Sequence, residues 1–279
     1  MSDPAITGNS DGLQIGSLQI STPQPRTSES PIQRLHPELL NEIFRLCIGR
    51  YIYDYPSGGG RRLPRPSVKE PPLILCRICR RWRQLVLANP LLWAQIELYG
   101  VCRSSHLVAL DEWLIRSQQS PLHLSVTCHR YEGTRAEFED QVSRVIAKLT
   151  PHSWRWKHVF FELPTACTEP IVRRLGEGSD SLEILKICDR GSSGGKESIA
   201  VNLSGHRVLS KLQMDARIHF IPNHSPMNNI RILHMSFLTI DEYLHCLMSV
   251  LPHLTLNSFS TATFTSSPCF INPYASFPQ

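Results

Sequence analysis

The sequence predicts an α+β chain: a small helical module near the N-terminus, then an irregular array of alternating strands and helices. Three observations predict it. Apolar residues between Leu39 and Trp93 recur at helical spacing. From Trp93 onward a short strand template, apolar-x-x-apolar-x-apolar, returns several times. Hydrophobic residues make up 41% of the 279 positions, enough to build a core.

Residues 1–31 are rich in Ser, Thr, Pro, Gln and Gly. Such a segment cannot bury enough apolar surface to offset its ordering entropy, so it reads as a disordered tail. The weak alternation Leu13, Ile15, Leu18, Ile20 is read as part of that solvated tail.

The first helix starts at Pro37, where the missing N–H costs nothing, and Glu38 suits the positive end of the helix dipole. Leu35 and Leu40 are spaced as a hydrophobic staple. Leu39, Leu40, Ile43, Phe44 and Cys47 follow helical spacing, and Gly49 is a stop. Residues 50–72, with their glycine run and prolines, read as a loop insertion. A second helix is expected from about Leu73, with Leu75, Ile78, Cys79, Trp82, Leu85 and Val86 as its apolar stripe. Asn89-Pro90 ends it and caps a short third helix carrying Leu91, Leu92 and Trp93.

The strand template appears at Trp93/Ile96/Leu98, Pro121/Leu124/Val126, Trp156/Val159/Phe161, Leu182/Leu185/Ile187, Leu209/Leu212/Met214, Ile230/Leu233/Met235 and Leu251/Leu254/Leu256. The early steps are about 28 and 35 residues and the later ones about 26, 27, 21 and 21; the later ones fall in the window of leucine-rich repeats. Helical spacing recurs between templates, at Leu107, Leu110, Leu114 and Ile115, at Phe138, Val142, Val145, Ile146 and Leu149, and from Leu238 to Met248. The expected architecture is a three-helix module over 32–98, a short irregular α/β leucine-rich-repeat-like solenoid over 99–257, and a loosely packed tail over 258–279 that leaves the last strand an open edge. An open parallel sheet is the alternative pattern, but no Gly-rich phosphate loop follows any strand.

Three blocks, Leu35-His36-Pro37-Glu38-Leu39-Leu40-Asn41-Glu42-Ile43-Phe44, Cys76-Arg77-Ile78-Cys79-Arg80-Arg81-Trp82-Arg83 and Asn89-Pro90-Leu91-Leu92-Trp93, together resemble the F-box. They are most similar to its fungal version, in which leucine-rich-like repeats follow. The resemblance covers residues 32–98, and the insertion at 50–72 is long for the family at large. It implies a module that binds a Skp-type adaptor, and through it a cullin–RING ubiquitin ligase, while the repeats hold an unknown target protein. It implies an adaptor-facing set of Leu35, Pro37, Glu38, Leu40, Ile43, Phe44, Leu75, Ile78 and Cys79. Trp82, Leu85, Leu92 and Trp93 would form the structural core of the module. The alternatives are a ligase-independent interaction scaffold and a small-molecule enzyme on an open α/β sheet.

Other chemistries find little support. Cys76-x-x-Cys79 lacks the second ligand pair of a structural zinc site, and Cys128-His129 lacks it too, so no metal is expected. No catalytic signature surrounds any cysteine, so no catalytic residue and no cofactor are assigned. The basic cluster Arg61, Arg62, Arg65, Lys69, Arg77, Arg80, Arg81 and Arg83 has no nucleic-acid motif beside it and reads as a solvated face. There is no run of apolar residues for a membrane span and no secretory signal at the N-terminus. These place the chain in the cytoplasm or nucleus, where its nine cysteines stay reduced.

Overall fold

The computed structural model describes residues 30–48, 63–100, 104–128, 134–189, 199–203, 205–214, 218–220, 229–236 and 261–265. The chain divides into two compact units, 1–36 and 37–279. In the first, a 3-10 turn at Pro31–Arg34 buries none of its residues. The second is a mixed helix-and-strand unit built on a parallel sheet. No helix among the described residues is long and apolar enough to cross a membrane.

Helix α1 spans Pro37–Ile48, ending one residue before Gly49. Leu40, Phe44 and Ile48 recur every fourth residue and are buried. The second helix differs from expectation. The chain makes a 3-10 turn at Leu75–Arg77, is extended at Cys79, and only then forms α2, Arg80–Ala88. Cys79 is the N-cap: its sulfur accepts from the Trp82 backbone N–H at 3.5 Å. That break re-aims α2, so Val86 is its buried residue and Trp82 packs edge-on against Phe44, ring centroids 4.8 Å apart. Trp82 and Leu85, expected in the core, are therefore only half-buried. A 3-10 turn follows at Pro90–Leu92, capped by Asn89 as expected. The Asn89 amide also donates to the Asn41 side chain, tying this corner to α1. Leu92 and Trp93 are buried; the Trp93 indole N–H donates to the Val86 carbonyl, and its ring meets Trp113 edge-on.

Seven strands make one parallel sheet: β1 (Gln95–Tyr99), β2 (Leu122–Thr127), β3 (Trp156–Leu163), β4 (Ile184–Asp189), β6 (Lys211–Met214), β8 (Ile232–Ser236) and β9 (Thr261–Thr265), adjacent in that order. Two further strands, β5 (Ile199–Val201) and β7 (Ile218–Phe220), pair in parallel as a second small sheet. Each strand is added beside its predecessor, so all connections are crossovers.

The register aligns the template slots. Ile96, Leu124, Val159, Leu185, Leu212 and Leu233 stand side by side, as do Leu98, Val126, Phe161, Ile187, Met214 and Met235. Ile96 to Leu233 are all buried. The leading slots Trp93, Leu182, Leu209 and Ile230 are buried too, just before their strands, and Trp156 is buried as the first residue of β3. Backbone bonds recur at these lead-ins: Glu183 N–H donates to the Lys157 carbonyl, Ser210 N–H to Glu183, and Arg231 N–H to Ser210.

Three expectations are corrected here. Pro121 is exposed, and Leu122 takes the inward position opposite Trp156. A bulge makes this possible, since Lys157 is the extra residue between Trp156 and His158 where β2 has none. In α3 (Ser104–Arg116), Leu110, Trp113 and Leu114 face inward while Ile115 is exposed, because neighbouring positions 114 and 115 point to different sides of a helix. Beside β8 stands Thr261–Thr265, from the segment expected to be a loose tail, with Ala262 opposite Leu233. The expected last template, Leu251/Leu254/Leu256, and the helical pattern from Leu238 to Met248 lie outside the described residues.

The connectors change along the sheet. Helices α3, α4 (Arg135–Leu149) and α5 (Glu169–Gly176) link the first four strands. Helix α4 buries Phe138, Val142, Val145, Ile146 and Leu149 as its spacing predicts, behind a capping box formed by Thr134 and Glu137. Among the described residues, the later connectors contain β5 and β7. At the front edge, Leu63 is buried and the Pro64 carbonyl accepts from the Glu97 N–H of β1 at 2.9 Å. The end of the insertion thus supplies a partner to an edge strand.

Candidate functional site

Two surfaces carry unusual side chains for their position. The first is on α1. Its expected contact residues split by burial: Leu40 and Phe44 are 0% exposed and Leu75 is buried, so these three support the helix from inside and present no surface. Pro37, Ile43 and Cys79 are half-buried, and Glu38 and Ile78 are exposed. Leu35, in the preceding unit, is half-buried. The structure adds two residues: Leu39 is 55% exposed and Leu46 64%. With Ile43 they stand at i, i+4 and i+7, one stripe on the helix side away from Leu40 and Phe44. The signal was present in the sequence, since α1 is apolar on two sides, but periodicity alone does not say which side turns inward.

Cys76 and Cys79 do not form a ligand set. Cys79 caps α2, and burial pushes the Cys76 thiol up. No group of three or more His, Cys, Asp or Glu side chains fit to hold a metal occurs among the described residues.

The second surface is the sheet face opposite the apolar rows, where alternation places residues such as His123, His158, Phe160, Lys186, Gln213 and His234. His123 and His158 are ladder partners, with Nδ1 atoms 2.9 Å apart and rings edge to face. His158 Nε2 lies 3.2 Å from Glu183, whose other oxygen is 3.2 Å from the Lys157 ammonium. One proton arrangement satisfies this chain: His158 donates through Nε2 to the carboxylate, His123 donates through Nδ1 to His158, and His123 Nε2 keeps its lone pair. Burial, then the charges of His158 and Lys157, lowers His123 to about 4. Burial also lowers His158, although Glu183 opposes it. Burial pushes Glu183 up, but hydrogen bonds from His158 and Lys157 together hold it below the usual carboxylate range.

Further along this face, the Lys186 ammonium sits over the Phe160 ring, 4.5 Å from its centroid. His234 is lowered by burial and by the nearby charges of Lys186 and Lys211. Toward β1 the face closes: Glu97, Ser125, Thr127 and Glu162 are buried, and Arg65 pairs with Glu97 at 3.1 Å while stacking on Tyr99. The sequence reading did not single out this surface, because its residues occupy the x positions of the template, where any polar side chain is tolerated.

No protein-family model, no curated protein and no solved structure matches this chain.

Proposed function

We propose that the chain is an adaptor of F-box type: α1 and the segments packed on it bind a Skp-type adaptor, and the repeating strands form a leucine-rich-repeat-like solenoid that holds a target protein. The observation that carries this is the second apolar stripe of α1, in which Leu39 and Leu46 are exposed and Ile43 half-buried while Leu40 and Phe44 fill the interior. Exposed leucines repeated along one helix face are costly to leave wet and mark a helix-to-protein contact. The in-sequence order of parallel strands, with template slots aligned, supports the solenoid. The mechanism is positioning: one end holds the ligase, the other the target, and the gain is effective concentration without bond chemistry in this chain.

The test uses the full-length protein and a purified Skp-type adaptor. Leu39→Arg with Leu46→Arg is expected to abolish capture with the fold intact, since buried interface anchors are worth about 2 kcal/mol or more each. A folded wild-type chain that fails to bind the adaptor overturns the proposal.

A further inference from the structure

Charge is unevenly spread along the chain. Residues 49–93 carry nine Lys and Arg side chains against two carboxylates, Asp54 and Glu70. The remaining residues hold 20 against 22, so this stretch is the source of the net charge of +5. Glu70 accepts from the Arg65 backbone N–H. Among the described residues no carboxylate pairs with Arg77, Arg80 or Arg83, and all three are exposed.

These arginines flank an exposed apolar spot. Ile74 N–H donates to the Glu70 carbonyl, Arg77 N–H to Ile74 and Ile78 N–H to Leu75, so the chain coils through this segment. Ile74, Arg77 and Ile78 therefore share one side, a turn apart, while Leu75 is buried. Ile74 is 38% exposed and Ile78 59%. Helix α2 follows at once, with exposed Arg80 and Arg83 three residues apart on one side of it. Burial pushes the Cys76 thiol up and the charge of Arg83 opposes it, so Arg83 lies near the same turn.

We propose that this shoulder, from Ile74 to Arg83, receives an acidic amphipathic helix of a partner protein, with apolar residues on Ile74 and Ile78 and carboxylates on Arg77, Arg80 and Arg83. A helix presents an apolar stripe with carboxylates on both flanks, whereas a strand sends alternate residues to opposite faces. The guanidinium fork matches a carboxylate and can hold it through two hydrogen bonds. A phosphate backbone would leave the isoleucines without a partner, and a helix lying on a membrane needs a larger apolar face than this turn offers. An apolar centre with arginines around it is the composition of a protein–protein contact. The turn and α2 carry this site, so it does not rest on the adaptor reading, which the α1 stripe carries.

The experiment uses the full-length protein and a fluorescein-labelled peptide of two Leu-Glu-Glu-Leu-Leu-Glu-Glu heptads, read by fluorescence anisotropy. Saturable binding that weakens with added salt is expected. Arg77→Glu with Arg80→Glu is expected to weaken it roughly tenfold or more, because attraction becomes repulsion. Ile78→Ser is expected to weaken it several-fold, since the apolar anchor is lost. Arg144→Glu with Arg173→Glu, on the exposed sides of α4 and α5, makes the same change of charge and is expected to leave binding nearly unchanged. Absence of saturable binding, equal loss in both double variants, or no effect of Ile78→Ser each overturns the proposal. So does displacement of the peptide by an oligothymidylate or by phosphatidylserine vesicles through the same arginines. If the reversed pair does not fold, Arg77→Gln with Arg80→Gln replaces it, and unchanged binding then overturns the proposal. Adaptor capture is measured on the same samples. Its failure with peptide binding intact removes the ligase and leaves this site standing; the reverse outcome removes only the site.

Discussion

Strands β1 to β4 and strands β6 to β9 share one ladder and one row of inward apolar residues, yet they are backed differently. The front strands are linked by helices, and Trp93, Trp113, Trp156 and Phe161 fill the space there. Among the described residues, the strands from β4 to β8 are linked through the three-residue strands β5 and β7, and the buried inward residues of β6 and β8 are Leu212, Met214 and Leu233. Connector length alone does not set the difference: Val159 to Leu185 and Leu185 to Leu212 are nearly equal spans, yet the first carries α5 and the second β5. The same template thus tolerates two kinds of backing, and the large aromatic volume sits where helices hold it.

The largest expected effect tests where stability is concentrated. Trp113→Ala opens a cavity beside Trp93 at the junction of the helical module and the sheet, and should cost about 3–5 kcal/mol. Leu233→Ala, in the rear, should cost about 2–3 kcal/mol. Urea unfolding of the two variants measures the contrast; equal losses would mean that the two halves contribute alike.

Acid sensitivity should be centred on the ladder pair at β2 and β3. His123 sits at about 4 in the folded chain against 6.5 for an ordinary histidine. The unfolded chain therefore takes up the proton first, and stability present above about pH 6.5 is lost as pH falls through about 4. The gap corresponds to about 3 kcal/mol. His158, lowered in the same direction, adds to the effect with the same sign. Urea midpoints of wild type and His123→Gln at neutral and mildly acidic pH test this: the variant should lose less on acidification.

The apolar rows could be read in the sequence because burial enforces them: every second residue of a strand with one buried face must be apolar, and Ile96 through Leu233 obey this. What could not be read has specific causes. Helix α5 is eight residues long and contains Pro170, too short for a periodic signal. The Thr261–Thr265 strand is Thr-rich and stands out less than the leucines before it. On α1 both faces are apolar, so the split between buried Leu40 and Phe44 and exposed Leu39 and Leu46 needed the fold. Arg155 carries no sequence pattern that marks it for burial, yet it is buried, because its partners are backbone carbonyls and a hydroxyl brought near by folding.

Those partners give a second contrast between front and rear. Arg155 donates to the Leu114 and Ser120 carbonyls and to the Ser117 hydroxyl, satisfying acceptors at the C-terminal end of α3 and just beyond it. His206 donates through Nε2 to the Leu175 carbonyl near the end of α5, where Gly178, at positive φ, touches Gly205 backbone to backbone. In each case a basic residue from a later unit closes an earlier helix. Arg155→Ala removes several charge-assisted bonds and should cost about 2–3 kcal/mol, and His206→Ala about 1–2 kcal/mol. Thermal unfolding checks the order.

The smallest effect belongs to the ion pair that joins two of the front helices. Lys148 of α4 reaches both oxygens of Asp111 on α3, at 2.6 and 2.7 Å. The geometry is bidentate, but about a third of the Lys148 side chain and about half of the Asp111 side chain remain in water. Solvent screens such a pair, and ordering a long lysine side chain opposes the gain, so the net contribution is about 0.5 kcal/mol. The buried neighbours Leu110, Val145 and Leu149 hold the two helices against the sheet without it. Asp111→Asn should therefore lower stability by no more than about 0.5 kcal/mol, and raised salt should shrink the difference between variant and wild type. A loss of several kcal/mol, unaffected by salt, would show that the front half depends on charge pairing between its helices as much as on its aromatic core.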